Sequence, residues 1–280
     1  MSFRRVGETC RGKGSYFSKG FLSNICTEKT DAMRPPLLLA LLLTILAGSA
    51  FSQTAEEIIR KSEDLVKGKT CKGTFVMTVT TPSYTRTMEM DSWWVGNEKA
   101  LILIRSPRKE AGNKTLKIGN ELWSYLKNTE TTIKLPPSMM LQSWNGSDFT
   151  NDDLVRESNL SRDYSQKIVG EEVVDGERCW SIELLPRPDA PVVWGKILYR
   201  VRKSDNLPSS QEYFDERGVL MRSMVFSDYR VMGGRKLPVK WMMINRAKEG
   251  HQTAFEIKDI RFDIPISDNI FSYRELEKRN

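Results

Sequence analysis

Few residues in this chain are of the kinds that do chemistry, and their spacing does not favour it. His251 is the single histidine. It lies beside a turn signal, and no Ser/His/Asp or metal-ligand spacing can be assembled around it. Asp148, Asp152 and Asp153 form a local cluster, and a lipid or glycan hydrolase would need Asp148 and Asp152 as an acid–base pair. A simpler account is that Thr150 is a helix N-cap and Asp153, three residues later, completes a capping box, with Phe149 and Leu154 as the hydrophobic staple. Carboxylates in a first helical turn are then explained by the macrodipole. The sequence contains no GxGxxG, P-loop or CxxC motif, so no catalytic residue, metal or cofactor is expected. Cys71 and Cys179 each stand near the start of a strand. In an oxidising compartment they could form a disulfide, or equally be buried as small hydrophobes.

What the chain has instead is large apolar side chains. Seven tryptophans and twelve methionines are present. Met139, Met140, Leu141 and Trp144 crowd into the irregular stretch 136–154, where methionine suits a changing apolar surface. Phe75, Met77 and Val79 alternate with threonines, Met88, Met90 and Trp94 alternate with Glu89 and Asp91, and Trp93 fits that pattern less easily. Trp180, Ile182 and Leu184 alternate with Ser181 and Glu183, and Ile197, Tyr199 and Val201 with Arg200 and Arg202. The candidate ligand-binding set is therefore Phe75, Met77, Met88, Met90, Trp94, Trp180, Ile182 and Tyr199 on strands. A lid of Met139, Met140, Leu141, Trp144 and Phe149 faces them. The competing reading is that these side chains fill a closed core and that the central stretch only plugs the end of a sheet.

These residues need a scaffold, and the turn chemistry supplies one. Residues 54–68 read as one amphipathic helix with Thr54 as cap, Glu56 and Glu57 in the first turn and Gly68 as stop. Gly96-Asn97, Gly119-Asn120, Asp175-Gly176, Arg217-Gly218, Gly233-Gly234 and Glu249-Gly250 then separate runs of alternating residues, as in tight hairpins. The expectation is an α+β protein of about ten antiparallel strands. A sheet of that size with a single apolar face must curl around a core, a helix or a ligand. Three short helices are available to fill it: residues 54–67, the central insert, and a turn near 267–277.

The first fifty residues stand apart. Met33-Arg34, an apolar run over 35–46 and a small-residue segment ending at Ser52 have the three regions of a secretory signal peptide. The run is shorter than the roughly 20 residues a membrane helix needs. No cysteine follows it to carry a lipid anchor, so the expected product, residues 53–280, is exported and soluble. Residues 1–32 read as an upstream extension or an annotation artefact. Residues 1–52 carry seven Lys or Arg and three Asp or Glu, so the formal charge of +7 falls to about +3 without them. The remaining basic residues are scattered along strands, which argues against a nucleic-acid partner.

A helix followed by sheet, a central SWNGSDFTNDDL and a closing ISDNIFSYRELEKR together resemble the LolA-like family of outer-membrane lipoprotein-sorting proteins. The similarity is closest to a branch with the motif carried here by Trp144, Gly146, Ser147, Asp148, Phe149, Asp152, Asp153 and Leu154. The resemblance implies a half-open antiparallel β-barrel with helices as a lid, an apolar concave side for acyl chains, a periplasmic location, and neither cofactor nor catalysis. The function it implies is a carrier that binds lipid or lipoprotein acyl chains and helps deliver them toward the outer membrane. An inner-membrane transporter and an outer-membrane acceptor are its possible partners. The alternative is a non-catalytic periplasmic subunit docking to an inner-membrane transporter or envelope assembly.

Overall fold

A computed structural model describes residues 53–156, 160–190 and 192–278. The expected upstream extension and signal peptide lie outside the described residues. The first element, α1 (Ala55–Lys67), is delimited as its sequence predicts. The Glu57 N–H donates to the Thr54 hydroxyl at 3.2 Å, and the Thr54 N–H donates to the Glu57 carboxylate at 3.1 Å. That reciprocal pair is a capping box. Gly68 ends the helix at a φ of +64°. The inner face of α1 is Ile58, Ile59 and Ser62, all fully buried.

Thirteen strands follow: β1 (Thr70–Thr80), β2 (Thr85–Val95), β3 (Lys99–Ser106), β4 (Lys114–Ile118), β5 (Glu121–Leu126), β6 (Thr131–Lys134), β7 (Tyr164–Val174), β8 (Glu177–Pro186), β9 (Lys196–Arg202), β10 (Pro208–Phe214), β11 (Leu220–Met232), β12 (Arg235–Asn245) and β13 (Gln252–Phe262). Expectation was about ten. Short strands such as β6, four residues with Ile133 as its one apolar side chain, carry too little alternation to be read from sequence.

All thirteen strands make one antiparallel sheet in the order β6-β5-β4-β3-β2-β1-β13-β12-β11-β10-β9-β8-β7. Each neighbour is a hairpin partner except at the centre, where β1 pairs with β13. The expected turn pairs close the hairpins. Asp175-Gly176 links β7 to β8 and Gly233-Gly234 links β11 to β12, each with positive φ at both positions. That is the geometry a two-residue turn needs to match strand twist. Register shifts at Thr74/Phe75, Glu89/Met90 and Ile168/Gly170 bend the strands locally. The sheet ends at β6 and β7 without closing.

Residues 135–163 connect β6 to β7, the two edges of the sheet. The connection contains short 3-10 turns at Pro137–Met139 and Trp144–Gly146 and two short helices, α2 (Asn151–Arg156) and α3 (Leu160–Asp163). Joining opposite edges forces this segment to pass over a face of the sheet. The short helices act here as a strap over the curled sheet. Among the described residues no helix is long and apolar enough to cross a membrane.

Two apolar clusters lie under α1 and the strap. One gathers Ile58, Ile59, Phe149, Ile182, Leu184, Ile197 and Tyr199, with Trp180 half-buried against it. The other gathers Phe75, Met77, Met88, Met90, Ile102 and Trp144. A third cluster corrects the single-faced picture. Trp93, Leu101, Leu116 and Trp123 are successive cross-strand partners on the opposite face of β2 to β5. They pack under Phe271 and Leu276, from a 3-10 turn (Asp268–Phe271) and the last helix, α4 (Tyr273–Glu277). Trp93 breaks the simple alternation because β2 is buried on both sides.

Elsewhere the outer face is polar, as the scattered basic residues suggested. Arg200 meets Glu172 at 2.6 Å and Glu212 at 2.9 Å, and Arg202 meets Glu177 at 2.9 Å. The disulfide alternative is overturned. Cys71 and Cys179 are both free and buried, on β1 and β8, with five strands between them. Burial pushes the Cys71 thiol up to about 12, which makes it a packing residue and not a reactive one.

Candidate binding cavity

Between the concave face, α1 and the strap lies a large cavity. Its walls are Phe75, Met90, Trp94 and Ile102 on one wing and Tyr199, Met224, Phe226, Trp241 and Phe255 on the other, with Trp144, Phe149 and Leu154 of the strap across it. Its volume is about 190 Å³, against on the order of 10–15 Å³ for one buried water. A mostly apolar space large enough for on the order of ten waters is costly to leave wet, and it is of the size that takes an acyl chain.

The strap motif has two kinds of residue. Trp144 is 4 % exposed, stacks on Phe255 at 6.5 Å between ring centres, and donates its indole N–H to the Thr115 hydroxyl at 3.2 Å. Phe149 meets the same Phe255 edge-on at 5.0 Å. These two aromatic rings face the cavity. The polar residues between and after them fasten the strap. The Ser147 hydroxyl donates to the Trp144 carbonyl at 2.7 Å and accepts from the Phe149 N–H at 3.2 Å. The Asp148 carboxylate accepts from Thr253 at 2.8 Å and Asn245 at 3.1 Å, tying the strap to β13 and β12. Gly146 has a φ of +68°, and a Cβ there would stand 3.0 Å from the Arg86 guanidinium. That guanidinium holds the neighbouring Asn145 carbonyl.

Asp153 completes the expected capping box: its N–H donates to the Thr150 hydroxyl at 3.3 Å, and its carboxylate accepts the Thr150 N–H at 2.7 Å. It also makes a two-point ion pair with Arg222 of β11. Both side chains are 6 % exposed, and the guanidinium lies over the rings of Trp194 and Tyr213 at 4.5 and 4.4 Å. Capping alone does not explain this aspartate. The Asp152 N–H donates to the Met140 carbonyl at 2.8 Å, and its side chain is buried. Of the two aspartates that would form an acid–base pair, the Asp148 carboxylate fastens the strap to β12 and β13, and the Asp152 backbone ties it to Met140. Among the described residues no group of three His, Cys, Asp or Glu is arranged to hold a metal ion. His251 is a turn residue whose carbonyl closes the β12–β13 hairpin on Asn245.

Of the residues predicted to line a cavity, Phe75, Met90, Trp94, Trp144, Phe149 and Tyr199 do so, joined by Asp153 and Leu154 of the motif. The others are displaced from it. Met77 and Met88 are fully buried in the sheet core, Ile182 lies in the core under α1, and Trp180 packs at that core's margin. The methionine lid is not formed. Met140 packs against Leu122 and Leu135 near the β5 edge, Met139 is half-buried and Leu141 is 59 % exposed. A 3-10 turn over Pro137–Met139 directs this end of the strap toward β5. Lining residues the sequence reading left out include Met224, Phe226, Trp241 and Phe255. The alternation of Phe255 and Ile257 with Glu256 and Lys258 is the same signal as that of Tyr199 and Val201 with Arg200 and Arg202.

The cavity has one polar end. Lys117 of β4, 5 % exposed, lines it together with Glu63 and Lys67 of α1. Burial pulls the Lys117 ammonium down to about 8, helped by Lys67 and Arg162 and opposed by Glu98. The Glu63 carboxyl is raised by burial, against the lowering pull of Lys67 and hydrogen bonds from Leu160 and Ser161.

An unclosed antiparallel sheet curled over an apolar cavity and crossed by a helical strap defines a class, the LolA-superfamily fold. The chain is similar to a LolA superfamily protein from Nitrosomonas europaea, with 22% identity, a TM-score of 0.69, and coverage of 80% of this chain and 100% of that one. It is similar to a Vibrio parahaemolyticus domain described as a candidate outer membrane lipoprotein-sorting protein, with 20% identity, a TM-score of 0.71, and coverage of 80% and 98%. A DUF1329 family protein from Desulfovibrio piger gives 20% identity, a TM-score of 0.73, and coverage of 79% and 97%. No curated protein matches. Residues 96–278, about two thirds of the chain, match the model of a family described as "Uncharacterized protein", and the chain belongs to that family.

Proposed function

We propose that residues 53–280 form a single periplasmic carrier domain that binds lipid or lipoprotein acyl chains and helps deliver them toward the outer membrane. The observation that carries this reading is the apolar cavity under the strap, bounded by Trp144, Phe149, Trp241 and Phe255. A lipid chain crossing water exposes apolar surface at about 25 cal/mol per Å², so a carrier needs a comparable dry surface that can still be opened. A strap held by a few polar fasteners, and not by continuous strand pairing, meets both needs. The fold shared with a candidate lipoprotein-sorting domain supports the same reading. An inner-membrane transporter as donor and an outer-membrane acceptor are the partners it calls for.

Native mass spectrometry with lipid extraction, on protein purified from the periplasm, tests this. The expected result is co-purifying lipid or acylated peptide, released under mild denaturation. A protein found only in the cytoplasm, or one that carries no lipid and takes up no apolar dye, would overturn the proposal.

A further inference from the structure

The concave face contains a buried cation, which an apolar cavity does not call for. Cys71, Trp94, Ala100, Lys117 and Leu122 are successive cross-strand partners from β1 to β5, so they form one row on one face. Trp94, Ala100, Lys117 and Leu122 of this row line the cavity, which sets a buried lysine among apolar side chains. The next row is Ser92, Ile102 and Thr115, and Thr115 is the residue that accepts from Trp144. The cavity therefore runs from the Lys117 row beside the β2–β3 turn to the aromatic cage of Trp144, Phe149 and Phe255. Two further polar atoms mark the polar end. The Trp94 indole N–H and the Glu63 Oε1 are both buried without a hydrogen-bond partner. A buried donor left unsatisfied carries a desolvation cost that a bound acceptor would recover.

We propose that this end is a head-group site: the ligand is an amphiphile with an acidic head, a carboxylate or a phosphate ester, seated against Lys117 and the indole N–H of Trp94. Its chain runs inward toward Trp144 and Phe255. The inference rests on the carrier reading and narrows its cargo. A lipoprotein's acyl groups are joined through ester or amide links and carry no charge at that point, whereas a free acid or a phospholipid does. Burial raises the Glu63 carboxyl, which weakens its repulsion of an incoming anion. A positive charge in a low-dielectric wall attracts that anion far more strongly than the same charge in water.

The test is displacement of the neutral dye N-phenylnaphthylamine from the purified protein by dodecanoate, by dodecanol and by inorganic phosphate. At pH 7 dodecanoate is expected to displace the dye at about tenfold lower concentration than dodecanol, and millimolar phosphate not at all. Lys117→Met should equalise the two chains, and Lys117→Arg should keep the preference. Between pH 7 and 10 the wild-type preference should shrink, because Lys117, held at about 8, loses its proton within that range; the charged groups acting on it are Lys67 of α1, Arg162 of α3 and Glu98 of the β2–β3 turn. Glu63 of α1 can only gain negative charge over that range, and Lys117→Arg separates its effect because arginine stays protonated. The pH series needs no variant to fold. Equal affinities in the wild type, a preference that survives in Lys117→Met, or displacement by phosphate alone would each overturn the head-group site. Failure of dye, acid and alcohol alike to bind would overturn the carrier reading itself, and the head-group site with it.

Discussion

The two halves of the strap have similar apolar content and different fates. Met139, Met140 and Leu141 precede Trp144, Phe149 and Leu154 by a few residues, yet only the second group lines the cavity. The difference lies in the polar residues around them. Ser147, Asp148 and Asp153 fix the second half to its own backbone, to β12 and β13, and to β11, which orients the aromatic rings inward. The first half has a 3-10 turn without a side-chain cap, and its Met140 packs on Leu122 of β5 without lining the cavity itself. Apolar composition says that a segment will be buried somewhere. Polar fasteners decide against what.

Substitutions in the two halves should therefore separate stability from binding. The largest effect is expected from Asp153→Ala, which removes a helix cap and leaves the Arg222 guanidinium buried without this carboxylate. Urea unfolding should show a loss of about 3–5 kcal/mol. Replacing both partners by apolar residues, Asp153→Leu with Arg222→Met, should recover much of that loss. A single variant as stable as wild type would break the claim that this ion pair fastens the strap. Trp144→Ala comes next: it removes a cavity wall, and N-phenylnaphthylamine affinity should fall about tenfold, or about 1.4 kcal/mol. Met140→Ser should cost about 2 kcal/mol in urea unfolding, because it removes packing on Leu122, and leave dye affinity unchanged. Leu141→Ser, at an exposed site, should move neither by more than about 0.5 kcal/mol. Equal losses of affinity in Trp144→Ala and Leu141→Ser would erase the distinction between the halves.

Lys117 gives a smaller effect with a defined sign. Its ammonium is held at about 8 in the folded protein against an ordinary 10.5. Between these values the unfolded chain binds more protons than the folded one, so this group adds stability as pH rises from 8 to 10.5. Below about 8 its buried charge opposes folding by a constant amount. Comparing wild type with Lys117→Met across that range in urea should show the wild type gaining relative stability. A constant difference would mean that Lys117 titrates as an exposed lysine.

Local chemistry made much of the fold legible. The Thr54–Glu57 and Thr150–Asp153 capping boxes, the Gly68 stop and the paired turn residues each act within a few positions, and sequence shows such features directly. Which face of a strand is concave is a different kind of fact. In β4, Leu116 and Ile118 alternate with Thr115 and Lys117, and alternation alone sends the aliphatic pair inward. They face outward instead, because the C-terminal Phe271 and Leu276 cover that side, and the cavity receives Thr115 and Lys117. The same distant cover explains Trp93. The strap's direction was hidden for a related reason: its fasteners Thr253, Asn245 and Arg222 lie far along the chain, and no spacing within 136–154 reveals them.

The most direct test of the central claim is to locate a bound chain. A dodecanoate analogue carrying a diazirine near its terminal methyl, photolysed in complex with the protein and mapped by peptide mass spectrometry, should label the aromatic cage: Trp144 or Phe149 of the strap, Trp241 of β12 or Phe255 of β13. Labelling confined to exposed apolar residues outside the cavity, such as Val173 and Val231, or labelling unaffected by excess unlabelled dodecanoate, would contradict the account.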